Sequence, residues 1–260
     1  VPVELIVGDR NIESELPMYA TIADAVAAIS DSPSARMEHY IELQYNGRRQ
    51  RDELPFELMD KDITIRAGEG YAPIVRFCPQ VGDPARFPRR MITVTRGSLV
   101  LDRLHLEMDL PAEQDRYWSL IALDQARYLQ MSRCTMTIRN GAGGRRAFHA
   151  DVAFFEIMPP VQADASGISS TPAGREMPVV VDLTDCVVRG EANLVRSDVA
   201  QPLRLAWRNG LLVTTERLIV TGGAVQPALH GEHMEIDLNH LTAVADQGLC
   251  LISSSDDNAP

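Results

Sequence analysis

Leu101-Asp102-Arg103-Leu104-His105-Leu106 and Met131-Ser132-Arg133-Cys134-Thr135-Met136 are one phrase written twice. Three residues, usually ending on a polar one, lead into two apolar positions separated by one. The phrase returns as Asp60-Lys61-Asp62-Ile63-Thr64-Ile65, Leu183-Thr184-Asp185-Cys186-Val187-Val188 and Thr215-Glu216-Arg217-Leu218-Ile219-Val220. A looser copy is Leu238-Asn239-His240-Leu241-Thr242-Ala243. Its first apolar residues stand at 63, 104, 134, 186, 218 and 241, at intervals of 41, 30, 52, 32 and 23. Halving the longest interval predicts a missing copy near Val152 to Ile157, where Phe155 and Ile157 alternate.

Short alternating strands at such intervals predict stacked β-rungs, each paired with the last at ~4.8 Å, one face of every strand entering a continuous core. Leu104, Cys134, Cys186 and Leu218 then fall in one internal row, with two turns separating the cysteines. An antiparallel β-sandwich is the alternative, because Asn46-Gly47, Asn140-Gly141 and Asn209-Gly210 are hairpin signals. The same residues also serve corners between rungs.

Helical periodicity is confined to the N-terminal part. Ile22, Ala25, Val26 and Ile29 make an apolar stripe, with Thr21 as N-cap and Asp24 in the first turn. Strands are expected at Ile41 to Tyr45 and Ile63 to Arg66. The helix is placed to cover an open end of the stack. The expected organisation is one domain over residues 1–260, with an N-terminal cap at 17–45 and rungs at about 60–252.

Tyr19-Ala20-Thr21-Ile22-Ala23-Asp24-Ala25-Val26, then Ile41-Glu42-Leu43, then Ile63-Thr64-Ile65-Arg66-Ala67-Gly68, resembles the opening of the pectin lyase-like superfamily. The resemblance implies an all-β, right-handed parallel β-helix with an N-terminal capping helix. It covers about 50 residues and the rung phrase after them. That superfamily holds polysaccharide lyases and esterases beside domains without chemistry, so it implies a fold more than an activity. A fainter resemblance is to β-helical segments of large bacterial multidomain proteins. The chain opens on Val1 without a signal-type segment, and reads as an excerpt or processed form of a longer protein.

Composition narrows the partners. The chain of 260 residues is 45% hydrophobic, which suits a folded protein, but carries no apolar run long enough for a membrane-spanning helix. A net charge of -11 argues against nucleic acid. Lys61 is the only lysine. Arginines cluster at Arg48, Arg49 and Arg51, at Arg89 and Arg90, and at Arg145 and Arg146. Each cluster reads as a solvated loop, with phosphate or uronate binding as the alternative. The cysteines Cys78, Cys134, Cys186 and Cys250 form no C-x-x-C and read as buried space-fillers.

Catalytic motifs are sparse. There is no Gly-Lys pair for a phosphate loop, and Pro73 follows Gly68-Glu69-Gly70 where a dinucleotide motif needs glycine. His230-Gly231-Glu232-His233 lacks the zinc-protease spacing and reads as a polar turn. The best local constellation is Asp182, Asp185 and Arg189. Strand parity puts Asp185, not Asp182, on the face of Arg189; the plainer reading is an exposed ion pair. Trp207 alternates with Leu203 and Leu205 and should point inward. Trp118, after an acidic loop with Glu113 and Asp115, is the candidate exposed platform for a sugar ring.

The expectation is therefore a non-catalytic β-helical structural or binding module, its partners a polysaccharide or other domains of the same chain. The alternative is a polysaccharide lyase or carbohydrate esterase. No cofactor is expected for the module; calcium would enter with a lyase. A cleft floored by two or more carboxylates and an Arg on an outer face favours the enzyme, a smooth wall the module.

Overall fold

The computed structural model describes residues 3–8, 16–30, 38–82, 88–112, 117–141, 149–159, 178–198, 201–222 and 234–253. Strand β1 (Val3–Gly8) and the short β2 (Met18–Tyr19) precede α1 (Ile22–Ser30), the one helix among these residues. Strands then arrive in threes. The first sets are β3 (Glu38–Gln44), β4 (Gly47–Arg48) and β5 (Phe56–Met59), then β6 (Asp62–Ala67), β7 (Pro73–Phe77) and β8 (Arg90–Thr95). Next come β9 (Ser98–Asp102), β10 (His105–Asp109) and β11 (Ser119–Asp124), then β12 (Tyr128–Ser132), β13 (Thr135–Arg139) and β14 (Ala153–Ile157). In the last three sets the first two strands fuse: β15 (Val179–Gly190) with β16 (Asn193–Ser197), β17 (Leu203–Thr214) with β18 (Ile219–Gly222), and β19 (Met234–Ala245) with β20 (Cys250–Ser253).

Members of successive sets pair in parallel. The third strands form a seven-stranded sheet from β5 to β20. The first and second strands form two ladders, which the long strands join into a thirteen-stranded sheet. The protein is thus all-β and built on large parallel sheets. No helix is long and apolar enough to cross a membrane.

Parallel register stacks like on like. One inward row of the first ladder reads Ile41, Ile65, Leu101, Met131, Leu183, Trp207, Leu238. Its members through Trp207 are almost fully buried, so each strand set adds apolar surface to one continuous core. The bend between the first and second ladders is made by a left-handed residue in five successive strand sets: Arg103, Arg133, Asp185, Asn209 and His240, with φ of 50–60°. Asp and Asn tolerate this region; the Asn209 amide also donates to Asp185 Oδ1 at 2.5 Å.

The bend row corrects the sequence reading in three places. Cys134 and Cys186 are buried and free, as expected, but in adjacent strand sets, not two apart; Cys78 and Cys250, also expected to be buried, are exposed. Thr135 pairs with Val187, and the two sulfurs interact directly. That contact and burial push the Cys134 thiol up. Each thiol also donates to the carbonyl two residues back, Ser132 at 3.2 Å and Thr184 at 3.3 Å. Second, the strand holding Phe155 and Ile157 is no missing copy; it is β14, in the other sheet. The excess length lies in the connection between Ile157 and Val179. Third, Leu218 belongs to another row, in the seven-stranded sheet. The residue after Cys186 in this row is Gly210, followed by Leu241.

Gly210 breaks the apolar row because Trp207 fills it. Trp207 points inward, as its alternation predicts, and is fully buried. A Cβ on Gly210 would lie 2.0 Å from the Trp207 Nε1 and 2.8 Å from the Cys186 carbonyl oxygen. Gly210→Ala is therefore expected to destabilise the protein by about 1–3 kcal/mol, the range for overpacking a core. Adding Trp207→Leu should recover part of the loss in urea denaturation; a silent Gly210→Ala would refute this packing.

At the N-terminal end α1 covers the first turns. Ile22, Ala25, Val26 and Ile29 are buried, and Thr21 Oγ1 accepts from the Asp24 N–H at 3.0 Å, so the expected N-cap forms. Glu53, buried beneath it, accepts from the N–H groups of Ile22 and Ala23, each at 3.1 Å. The inward row below holds a histidine: His39 pairs with Ile63 and is 1% exposed, with no hydrogen-bond partner on either ring nitrogen. Burial, and to a lesser degree Lys61, lowers its pKa, so the fold holds it neutral. The unfolded chain binds that proton near pH 6.5. Stability should be full above that pH and decline below it, and His39→Leu should flatten the slope between pH 7 and 5 in thermal melts.

Candidate functional site

Along the seven-stranded sheet, alternation slips by one residue. Met91 and Ile92, Leu120 and Ile121, Phe154 and Phe155, and Leu194 and Val195 are adjacent buried pairs. The slip sets the next outward positions, Thr93, Ala122, Glu156 and Arg196, in one register row. The following outward row brings Thr95 beside Asp124, with Met158 and Asp198 further along. All of these outward residues but the buried Ala122 line an open groove of about 550 Å³, together with Glu57, Arg89, Arg90 and Tyr117.

Its floor is an ion network. Glu156 Oε2 accepts from Arg90 Nε at 2.9 Å and Ser119 Oγ at 2.8 Å; Oε1 accepts from Arg90 at 2.8 Å and Arg196 at 3.1 Å. The Glu156 and Arg196 side chains are each 4% exposed. Burial alone would raise the Glu156 pKa, but the bidentate Arg90 and the charge of Arg196 overcome it and hold the carboxyl below its usual range. Arg196 also donates to the Asp151 carbonyl at 2.5 Å, and its guanidinium lies 4.8 Å from the Tyr117 ring centre. Across the groove, Thr95 donates to Glu57 at 3.1 Å, and one Asp124 oxygen is buried without a hydrogen bond.

Trp118 is not the platform that sequence suggested. It is fully buried, edge-on to His149 at 6.2 Å. Its neighbour Tyr117 is 44% exposed at the groove, in a left-handed conformation with φ 66°. The acidic loop is followed by an outward Tyr and then an inward Trp, so the larger aromatic took the core. Glu113 and Asp115 lie outside the described residues.

Asp182, Asp185 and Arg189 do not converge. The left-handed bend at Asp185 resets the alternation on which the parity argument relied. Asp182 lies in the half of β15 paired with β12 and sits 3.7 Å from Arg208. Arg189 lies in the half paired with β13 and donates to Thr137 Oγ1 at 3.2 Å. The Arg89–Arg90 cluster belongs to the groove instead of a solvated loop. Arg48 ion-pairs with the buried Glu107 at 2.6 Å, in a second network with Arg139 and Asp109. Arg145, Arg146 and the 230–233 histidine motif lie outside the described residues. Among the described residues, no three His, Cys, Asp or Glu gather as metal ligands. Comparison with family models, curated proteins and solved structures found no match.

No sequence motif marks Glu156, Arg196 or Tyr117. The one available signal was a charged residue interrupting each apolar strand, in Phe154-Phe155-Glu156-Ile157 and Leu194-Val195-Arg196-Ser197. Because both partners are buried, Arg196→Met should cost about 3–5 kcal/mol, leaving Glu156 short of charge compensation. Glu156 has a lowered folded pKa, so its contribution is present above the unfolded carboxyl pKa near 4.3 and lost as pH falls through the folded value. Urea denaturation between pH 7 and 3 should show that acid loss in the wild type and little of it in Glu156→Gln/Arg196→Met.

Proposed function

We propose that the chain is a right-handed parallel β-helix acting as a non-catalytic binding module, whose groove on the seven-stranded face takes an acidic, polyhydroxylated chain such as a uronate-containing polysaccharide. The coil reading rests on the three ladders being visited in constant order, since parallel crossovers within a sheet are right-handed in ~98% of cases. The observation that carries the binding role is the state of Glu156. Four hydrogen bonds consume its oxygens, and a carboxyl so held neither delivers nor collects a proton near neutrality. What faces solvent is recognition chemistry: the half-open Tyr117 ring for a sugar face, the outer edge of Arg90, whose other two nitrogens hold Glu156, for a carboxylate, and Thr93 for hydroxyls.

The groove also favours a second reading by the criterion set above, because four carboxylates and three arginines line it. As a lyase or esterase the chain would use Asp124, whose buried oxygen carries no hydrogen bond.

Titration calorimetry with oligogalacturonides, and product analysis on these and their methyl-esterified forms, separates the two. The module reading expects saturable binding, weakened about five- to tenfold by Tyr117→Ala at unchanged melting temperature, with no new unsaturated or de-esterified product. Turnover, with or without calcium, that vanishes in Asp124→Asn would overturn the non-catalytic reading. Absence of binding would overturn the proposed ligand.

A further inference from the structure

The fold stacks two thiols in its interior. The register is the same on both sides of the bend: Met131 with Leu183 and Ser132 with Thr184 before it, Thr135 with Val187 and Met136 with Val188 after it. Cys134 therefore stands opposite Cys186, and its carbonyl accepts from the Val187 N–H at 2.9 Å. Each cysteine follows a left-handed residue, Arg133 or Asp185, so both side chains enter the core by the same turn of the backbone. Each sulfur also reaches a carbonyl of the strand set before its own, Leu101 for Cys134 and Met131 for Cys186, both at 3.5 Å. The two sulfurs are in contact. Paired strands lie ~4.8 Å apart, inside the ~4.4–6.8 Å that a disulfide spans between Cα atoms. The row holds no third thiol, because Leu104 precedes Cys134 and Gly210 follows Cys186.

The pair also sits at a particular place in the chain. Ser132 and Thr184 are 52 residues apart, the longest step between register partners among the described strands. A cross-link that closes a longer loop removes more freedom from the unfolded chain.

We propose that Cys134 and Cys186 are a disulfide site, closed by thiol–disulfide exchange in oxidising surroundings and fastening the strand sets on either side of that long connection. The oxidant is a low-molecular-weight disulfide such as oxidised glutathione. The thiolate of one cysteine attacks it and expels one thiol; the second cysteine attacks the mixed disulfide and expels the other. One sulfur–sulfur bond forms and one breaks. The two cysteine protons end on the two released thiols, and two electrons pass from the protein to the reagent. Because both thiols are buried, the exchange takes place as β15 docks on β13 during folding, and the closed fold keeps the product. The site rests on register and contact alone, and is independent of what the groove binds.

Cys78→Ser/Cys250→Ser removes the two exposed thiols and leaves the buried pair. Refolded from urea in a mixed glutathione buffer and quenched with acid, this chain should lose the mass of two hydrogens. A peptide map should join the segment holding Cys134 to the one holding Cys186. The ratio of oxidised to reduced chain should be about tenfold or more higher in native buffer than in urea at the same glutathione poise, because a bond that stabilises the fold is stabilised by it. The oxidised chain should also unfold at higher urea than the reduced one. If the double serine variant does not fold, the peptide map of the refolded wild-type chain reads the same linkage. Two free thiols after refolding, a ratio no higher than in urea, a lower urea midpoint on oxidation, or wild-type linkage through Cys78 or Cys250 in place of the buried pair would each overturn the proposal.

Discussion

Parallel, in-register pairing leaves each inward side chain one place to go, on top of its equivalent a turn away. Neighbouring strands sit ~4.8 Å apart, which is less than the width of a branched aliphatic group, so each row is a column of forced contacts. That condition governs the rest of the molecule. It admits Ile, Leu and Met in the column from Ile41 to Leu183. It admits Cys134 over Cys186, where thiols fit a tight bend. It makes the one large intruder, Trp207, remove the side chain of the next place in its own turn, leaving Gly210. A residue in this core is therefore answerable to two neighbours above and below, and also to its own strand.

The sequence made the parallel, all-β class and the single early helix legible, because both are written in periodicity. Thr21, the stripe from Ile22 to Ile29, and the inward Trp207 followed from spacing alone. What escaped was phase. The repeated phrase describes entry into any strand, so it puts Leu218 with Leu104 although the two lie in different columns. The 52 residues between Cys134 and Cys186 look like two turns, because a long connection and a missing rung lengthen a sequence equally. The groove was less legible still. Its residues come from separate turns and face outward only because alternation slips after paired apolar residues, a backbone event that no residue type announces. Asp182 and Arg189 failed for a related reason: a single left-handed residue at Asp185 put them on different ladders.

The groove's chemistry follows from the same geometry. Stacking brings Glu156 and Arg196 into register as surely as it stacks leucines, and a buried carboxylate in such a row must be matched by its neighbours or be ejected. Ser119 reaches it from the adjacent strand and Arg90 from the one beyond, and together they complete the match. The result is a rigid charged floor, with softer groups, Tyr117 and Arg89, at the edge. A surface of this kind holds its shape before anything arrives, which suits recognition of a chain-like ligand by minimising the ordering cost on binding.

The unequal connections between strands carry a further meaning. Register partners are 24 residues apart from Glu38 to Asp62 and 52 apart from Tyr128 to Val180, yet the ladders above and below these steps are alike. The stack counts strands and is indifferent to what is spliced between them. Closing a loop of twice the length costs only about 0.6 kcal/mol more, so the segment between Ile157 and Val179 is a natural port. Evolution, or an engineer, can lengthen, exchange or graft a peptide there while the columns on either side keep their order.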